Sequence, residues 1–240
     1  MKKILNLLTW VSVFSIAMAF LETAVVIYLR EIMYPAGFKF PLKPMPGDLA
    51  LTEVLRELAT IMMLISVAVI SGKKFSEKFA WFIYAFAVWD IFYYFFLKVL
   101  INWPESLMTW DILFMIPTTW TGPVISPVIV SITMITLALV ILKFSSNGYN
   151  TRIIRMEWGM LLSGCIILFI AFTWDYSLFI LKNLSLKDLW TLQDKQIIYR
   201  TALMYIPEKF NWTLFVIGEI ILIITILFYS RRLIREFRID

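Results

Sequence analysis

The sequence predicts an all-α, polytopic integral membrane protein of six transmembrane helices, with a broken or re-entrant segment before the fourth. Three observations carry that prediction. Of 240 residues, 61% are apolar and only 16% charged, a balance outside the range of soluble domains. The apolar residues gather into runs near twenty long, the length that crosses about 30 Å of hydrocarbon. The basic residues stand in short flanks between these runs, so the formal charge of +5 reads as topology signals and not as a nucleic-acid surface.

The first span, residues 4–29, imitates a signal peptide, with Lys2 and Lys3 ahead of an apolar core and Ala17 and Ala19 at cleavage-site spacing. Its apolar run continues to Leu29, beyond an ordinary signal core, and we read it as a retained span. KFPLKPMPG, residues 39–47, holds three prolines and a glycine and predicts a non-helical crossing. Spans at 49–72 and 79–101 follow. From Asn102 to Lys143 the chain is too long for one span and too short for two with turns. Pro104 starts a short helix over 104–117 that includes Trp110 and Asp111, and Pro117, Gly122 and Pro123 end it and break the backbone. That helix is either re-entrant or flat at the interface. The fourth span covers 120–143, with Pro127 in its first turns, and the fifth 156–181. Ser185 and Asp188 form a capping pattern that opens an outer surface helix over 185–206, and the sixth span runs from 211 to 230.

With the N-terminus inside, twelve Lys and Arg fall on the inner side, from Lys2 and Lys3 to Arg235 and Arg238, against eight on the outer side with its longer loops. The positive-inside rule then places the chain in the cell membrane, of a bacterial inner-membrane type, with both termini cytoplasmic. Trp103, Trp190 and Trp212 near one face and Trp81 and Trp158 near the other fit interfacial belts.

The odd spans share a pattern: AFLETAVVIYLR, FAVWDIFYYFFLK and AFTWDYSLFILK. Each sets a carboxylate (Glu22, Asp90, Asp175) ahead of a basic residue (Arg30, Lys98, Lys182) eight, eight and seven positions later. At 1.5 Å per residue each acid lies about 11 to 12 Å below its basic partner, in the outer half of the bilayer. On the second span Glu53, Arg56 and Glu57 share one face at i, i+3 and i+4, and Glu219 reaches a similar depth on the sixth. An ionisable group deep in a span costs about 2.5 to 3.5 kcal/mol, whereas each large apolar residue returns only about 0.3 to 0.6. These groups are therefore expected to face one another or a wet cavity, with Asp111 and Tyr94 available to it. A structural role, in which the acids simply pair with Arg30, Arg56 and Lys98, stands beside that reading.

Histidine is absent and Cys165 is the single cysteine. No cofactor is evident, and haem, zinc and histidine-dependent triads are not expected from this chain; Cys165 is expected to be a small core residue. No Gly-rich Lys loop for nucleotide is present. Carboxylates and hydroxyls suit protons and hard cations, with Glu22, Asp90, Asp175 and Glu219 as the ligands if a metal is held. The leading function is an outward-facing site that binds or transports a cation or a proton-coupled small solute. One alternative is a cofactor-free membrane enzyme that acts on a lipid or isoprenoid by carboxylic-acid proton transfer, with Trp89, Tyr94 and Trp174 lining its pocket. Another is an accessory subunit that grips a partner protein. The expected partners are the lipid bilayer and a small cation or solute, with no nucleic acid.

Overall fold

A computed structural model of the chain describes residues 2–35, 37–184 and 195–236. Six helices are long and apolar enough to cross a membrane: α1 (Lys2–Met33), α2 (Gly47–Ser71), α3 (Phe75–Ile101), α4 (Ile125–Ser146), α5 (Arg155–Asn183) and α7 (Trp212–Glu236), with the short α6 (Lys195–Leu203) before the last. The protein is thus a multi-pass, predominantly helical membrane protein. Its outward surface fits that medium, since Met62, Ile70 and Val99 are 67%, 85% and 64% exposed, a condition hydrocarbon tolerates and water does not.

α3 is the hub, packed against α1, α2 and α4, while α1 and α2 hardly touch each other. Its start is set by Glu77, which accepts the backbone N–H groups of Lys73 at 2.8 Å and Lys74 at 3.4 Å and so satisfies donors the first turn leaves free. Asn102, at φ 54°, closes it in the left-handed region, which asparagine enters more readily than most residues. α5 and α7 form a second unit that meets the first through α4 and α7. Gly164 and Gly218 make that pair close: a Cβ on Gly164 would stand 2.7 Å from Leu222 Cδ2, and one on Gly218 2.8 Å from Leu168 Cγ.

The segment before the fourth span differs from the expected helix over 104–117. Two antiparallel strands form instead, β1 (Trp110–Phe114) and β2 (Trp120–Pro123), with Asp111 opposite Gly122 and Ile112 opposite Thr121. Pro117 and Pro123 cannot donate in a helix, and a hairpin lets Ile112, Phe114 and Trp120 pack at strand positions that suit them. Its base is tied by Val124 N–H to Thr109 O at 3.0 Å and Ile125 N–H to Leu107 O at 2.8 Å. β2 packs on α4 and α5, and α4 accordingly begins at Ile125, after the hairpin, not at 120.

Two smaller expectations also change. Cys165 is exposed on α5, because the buried stripe runs through Leu161, Gly164, Leu168, Ala171 and Phe172 and this helical spacing turns residue 165 outward. Trp81, expected in an interfacial belt, is 1% exposed within the core. Of the surface helix expected over 185–206, Lys195–Leu203 is helical; the Ser185 and Asp188 cap, Trp190 and the rest of 185–194 lie outside the described residues.

Candidate functional site

The loop-bearing end of α1, α2 and α3 surrounds a cavity of about 340 Å³, within the size range of small-molecule sites. It exists because α1 and α2 lean on α3 and not on each other, and the hairpin and the tip of α6 close the remaining sides. Five carboxyl groups line it: Glu22, Glu53, Glu57, Asp90 and Asp111. Two guanidinium groups, Arg30 and Arg56, and the Lys43 ammonium oppose them.

The i, i+3, i+4 spacing on α2 puts Glu53, Arg56 and Glu57 on the cavity side. Arg56 donates from Nε to Glu53 Oε1 at 2.9 Å and reaches across with Nη1 to Glu22 on α1, so one cation joins two otherwise separate helices. Glu57 keeps a buried Oε2 with no hydrogen-bond partner. From α3, Asp90 accepts the Ser131 hydroxyl at 2.8 Å, and the indole N–H of Trp89 is buried without a partner.

The hairpin supplies the outermost acid. Asp111 is 3% exposed, accepts the Tyr94 hydroxyl at 3.2 Å and lies 3.5 Å from Arg30 Nη2. The Arg30 guanidinium sits 3.8 Å over the Trp103 ring and 4.7 Å from Phe38, a stacking that arginine's weakly hydrated plane favours; its Nη1 has no hydrogen-bond partner. Burial pushes the Asp111 carboxyl up to about 6, against the pull of Arg30, of the Ile112 backbone and of the Tyr94 hydroxyl. Since the folded value lies above the ordinary one, the neutral acid stabilises the hairpin at low pH, and that contribution is lost as pH rises through about 6. An infrared titration should therefore show a protonated-carboxyl band that fades near pH 6 and is missing from Asp111→Asn. A wild-type-minus-variant band with its midpoint in the ordinary aspartate range, near pH 4, would refute this.

Of the residues singled out in the sequence, Glu22, Glu53, Arg56, Glu57, Asp90, Tyr94 and Asp111 line this one cavity. Three others do not. Lys98 is exposed and donates to the Pro104 carbonyl at 2.9 Å, which anchors the chain after α3. Asp175 accepts the Tyr205 hydroxyl at 2.9 Å and the backbone N–H groups of Glu208 and Lys209 at 3.0 and 3.3 Å, so it organises the approach to α7. Glu219 accepts the Thr133 hydroxyl at 2.7 Å between α4 and α7 and leaves Oε1 buried without a partner. The set Glu22, Asp90, Asp175 and Glu219 is therefore not gathered, because α4 and the hairpin stand between α5 and α7 and the α1–α3 side. Among the described residues no group of three acidic or thiol side chains is arranged for a metal ion.

Sequence reasoning missed Arg30, Lys43 and the Phe38–Trp103 cage as parts of this site. Arg30 had a signal, as the basic partner eight residues after Glu22. The cage had none, because its two rings come from different loops. Compared with known family models, curated proteins and solved structures, the chain matches none.

Proposed function

We propose that the cavity binds a small cation, or a solute bearing a protonated amine, and that the protein moves or senses it from the side opposite both termini. The observation that carries this reading is the surplus of acid: five carboxyl groups face two guanidinium groups and one ammonium around a single space. A positive guest would relieve that surplus, and charge attraction is strengthened in a low-dielectric site. The unpartnered Glu57 oxygen offers it an acceptor, and the Trp89, Tyr93 and Tyr94 side chains at the same cavity offer faces to a cation. The excess of Lys and Arg on the terminus-bearing side supports cytoplasmic termini in a cell membrane. Nothing in the basic pattern favours nucleic acid.

Proteoliposomes test this directly. In a screen of radiolabelled monovalent cations and monoamines, the wild-type protein should take up at least one above empty vesicles. Asp90→Asn and Glu57→Gln should each lower that uptake about tenfold or more, the scale of a charge-assisted hydrogen bond. Equal uptake by wild type and both variants would count decisively against the site.

A second reading, acid catalysis on a lipid or isoprenoid, draws support from one feature: Val26, Leu29, Met33 and Val54 give the same cavity an apolar wall between two helices that barely meet. It predicts conversion of an added prenyl lipid, detected by mass spectrometry and lost in Asp90→Asn. Trp174, which sequence reasoning placed in such a pocket, is 41% exposed on α5 and does not line the cavity.

A further inference from the structure

A second concavity lies at the opposite end of the molecule, unconnected with the carboxyl-lined cavity. It is a groove of about 790 Å³ between the start of α3 and the start of α5, with Lys74, Arg152 and Arg155 along it. All three cations are exposed, and none forms a salt bridge with a described residue. The two acids nearest in sequence have hydrogen-bond partners of their own, and of these Glu77 stands close enough to Lys74 to share its charge. Glu77 is engaged by the Lys73 and Lys74 backbone and by the Ser145 hydroxyl at 2.6 Å. Glu157 is held by Arg232 and by the Ile154 N–H. Among the described residues the groove thus keeps a surplus of positive charge, centred on Arg152 and Arg155, and the positive ends of two long helix dipoles add to it.

Its apolar half is equally specific. Phe75 and Met156 are 72% and 57% exposed at the groove, each in the first turn of a membrane-spanning helix, and Trp158 lies tilted beside Phe75 with ring centroids 6.1 Å apart. Basic groups directly next to exposed apolar ones, at the level where a span begins, match a molecule with an anionic head and a hydrocarbon body. The groove is also pre-organised. Thr151 shares a hydrogen bond with Ser76 at 2.8 Å, its carbonyl accepts the Tyr229 hydroxyl at 2.9 Å, and the Arg152 carbonyl accepts Arg232 Nη2 at 2.8 Å.

We propose that this groove is a binding site for the phosphate-bearing headgroup of an anionic phospholipid, held by Lys74, Arg152 and Arg155 with its acyl chains beside Phe75 and Met156. A soluble phosphate would satisfy the cations alone and leave the apolar half unused. Charge complementarity with a membrane lipid accounts for both halves.

The test is native mass spectrometry of the delipidated full chain, titrated with phosphatidylglycerol, phosphatidylcholine or inorganic phosphate. Wild type should retain one phosphatidylglycerol more tightly than phosphatidylcholine. Each cation near an anionic headgroup is worth about fivefold, so the triple variant Lys74→Gln, Arg152→Gln, Arg155→Gln should bind phosphatidylglycerol about a hundredfold more weakly. A charge-matched variant, Lys143→Gln, Arg231→Gln, Arg235→Gln, should bind as wild type does, and monodisperse elution with unchanged helical circular dichroism establishes that both are folded. Equal retention of the two lipids, an unaffected triple variant, or the same loss in the charge-matched variant would each overturn the proposal. So would displacement of the lipid by millimolar inorganic phosphate, which would assign the groove to a soluble anion; failure of the triple variant alone to fold is met by Arg152→Gln, for which the expected loss is about fivefold.

Discussion

Arg56→Gln is expected to destabilise the protein by about 3 to 5 kcal/mol, the cost of stripping buried carboxylates of their counter-charge. Arg56 serves Glu53 on its own helix and Glu22 on α1, and the side chains of the three are only 21%, 10% and 12% exposed. Removing it leaves two acids facing each other across the gap between α1 and α2, with Glu57 one residue away. The triple replacement Glu22→Gln, Glu53→Gln, Arg56→Gln should recover most of the loss, because replacing a whole buried cluster with neutral groups avoids the orphaned charges. Unfolding of the micelle-held protein by sodium dodecyl sulfate gives the measurement. A single variant within about 1 kcal/mol of wild type, the scale of an exposed pair, would show that Arg56 is solvated and not a structural cation.

Arg232→Gln should have an effect of the same size at the other end, again about 3 to 5 kcal/mol. Glu157 is 2% exposed on its side chain and depends on a forked contact, 2.8 Å from Arg232 Nε and 3.1 Å from Nη2. Glu157 in turn accepts the Ile154 N–H at 2.9 Å at the start of α5. Arg232→Lys is expected to rescue little, since a single ammonium cannot reproduce the fork. Hydrogen exchange offers a second readout: amides of the loop 147–154 should exchange faster in Arg232→Gln, while those of the hairpin stay as in wild type. Faster exchange everywhere, with no preference for that loop, would contradict a local role.

The six spans were legible because length and absence of charge are direct demands of hydrocarbon, and no neighbour needs to be known to read them. The hairpin was legible only as a break. Pro117, Gly122 and Pro123 announced that the backbone must break, while Pro104 read as a helix start; strand pairing between Ile112 and Thr121 is a contact across nine residues that local pattern does not encode. Depth arithmetic brought Glu22, Glu53, Arg56, Glu57 and Asp90 to one level, and they do line one space. The same arithmetic placed Asp175 and Glu219 at that level too, yet neither lines that space. Depth along a helix says nothing about azimuth or about which helices are neighbours, and the pairing of α5 with α7 takes those two acids away. The repeat seen in the odd spans thus does not mark a single shared site. Arg232 counted only as a topology signal and Glu157 was not singled out, because both stand at span ends, where charge is unremarkable.

The glycine contact between α5 and α7 has a mechanical meaning. Where Gly164 and Gly218 let two backbones approach, Leu222 and Leu168 interlock in the space a Cβ would need, so these helices cannot slide past each other without unmeshing. They act as the keel of the molecule. α1 and α2 share no such mesh; they are clasped across their gap by the Arg56 guanidinium, a fastening that answers to charge and not to shape.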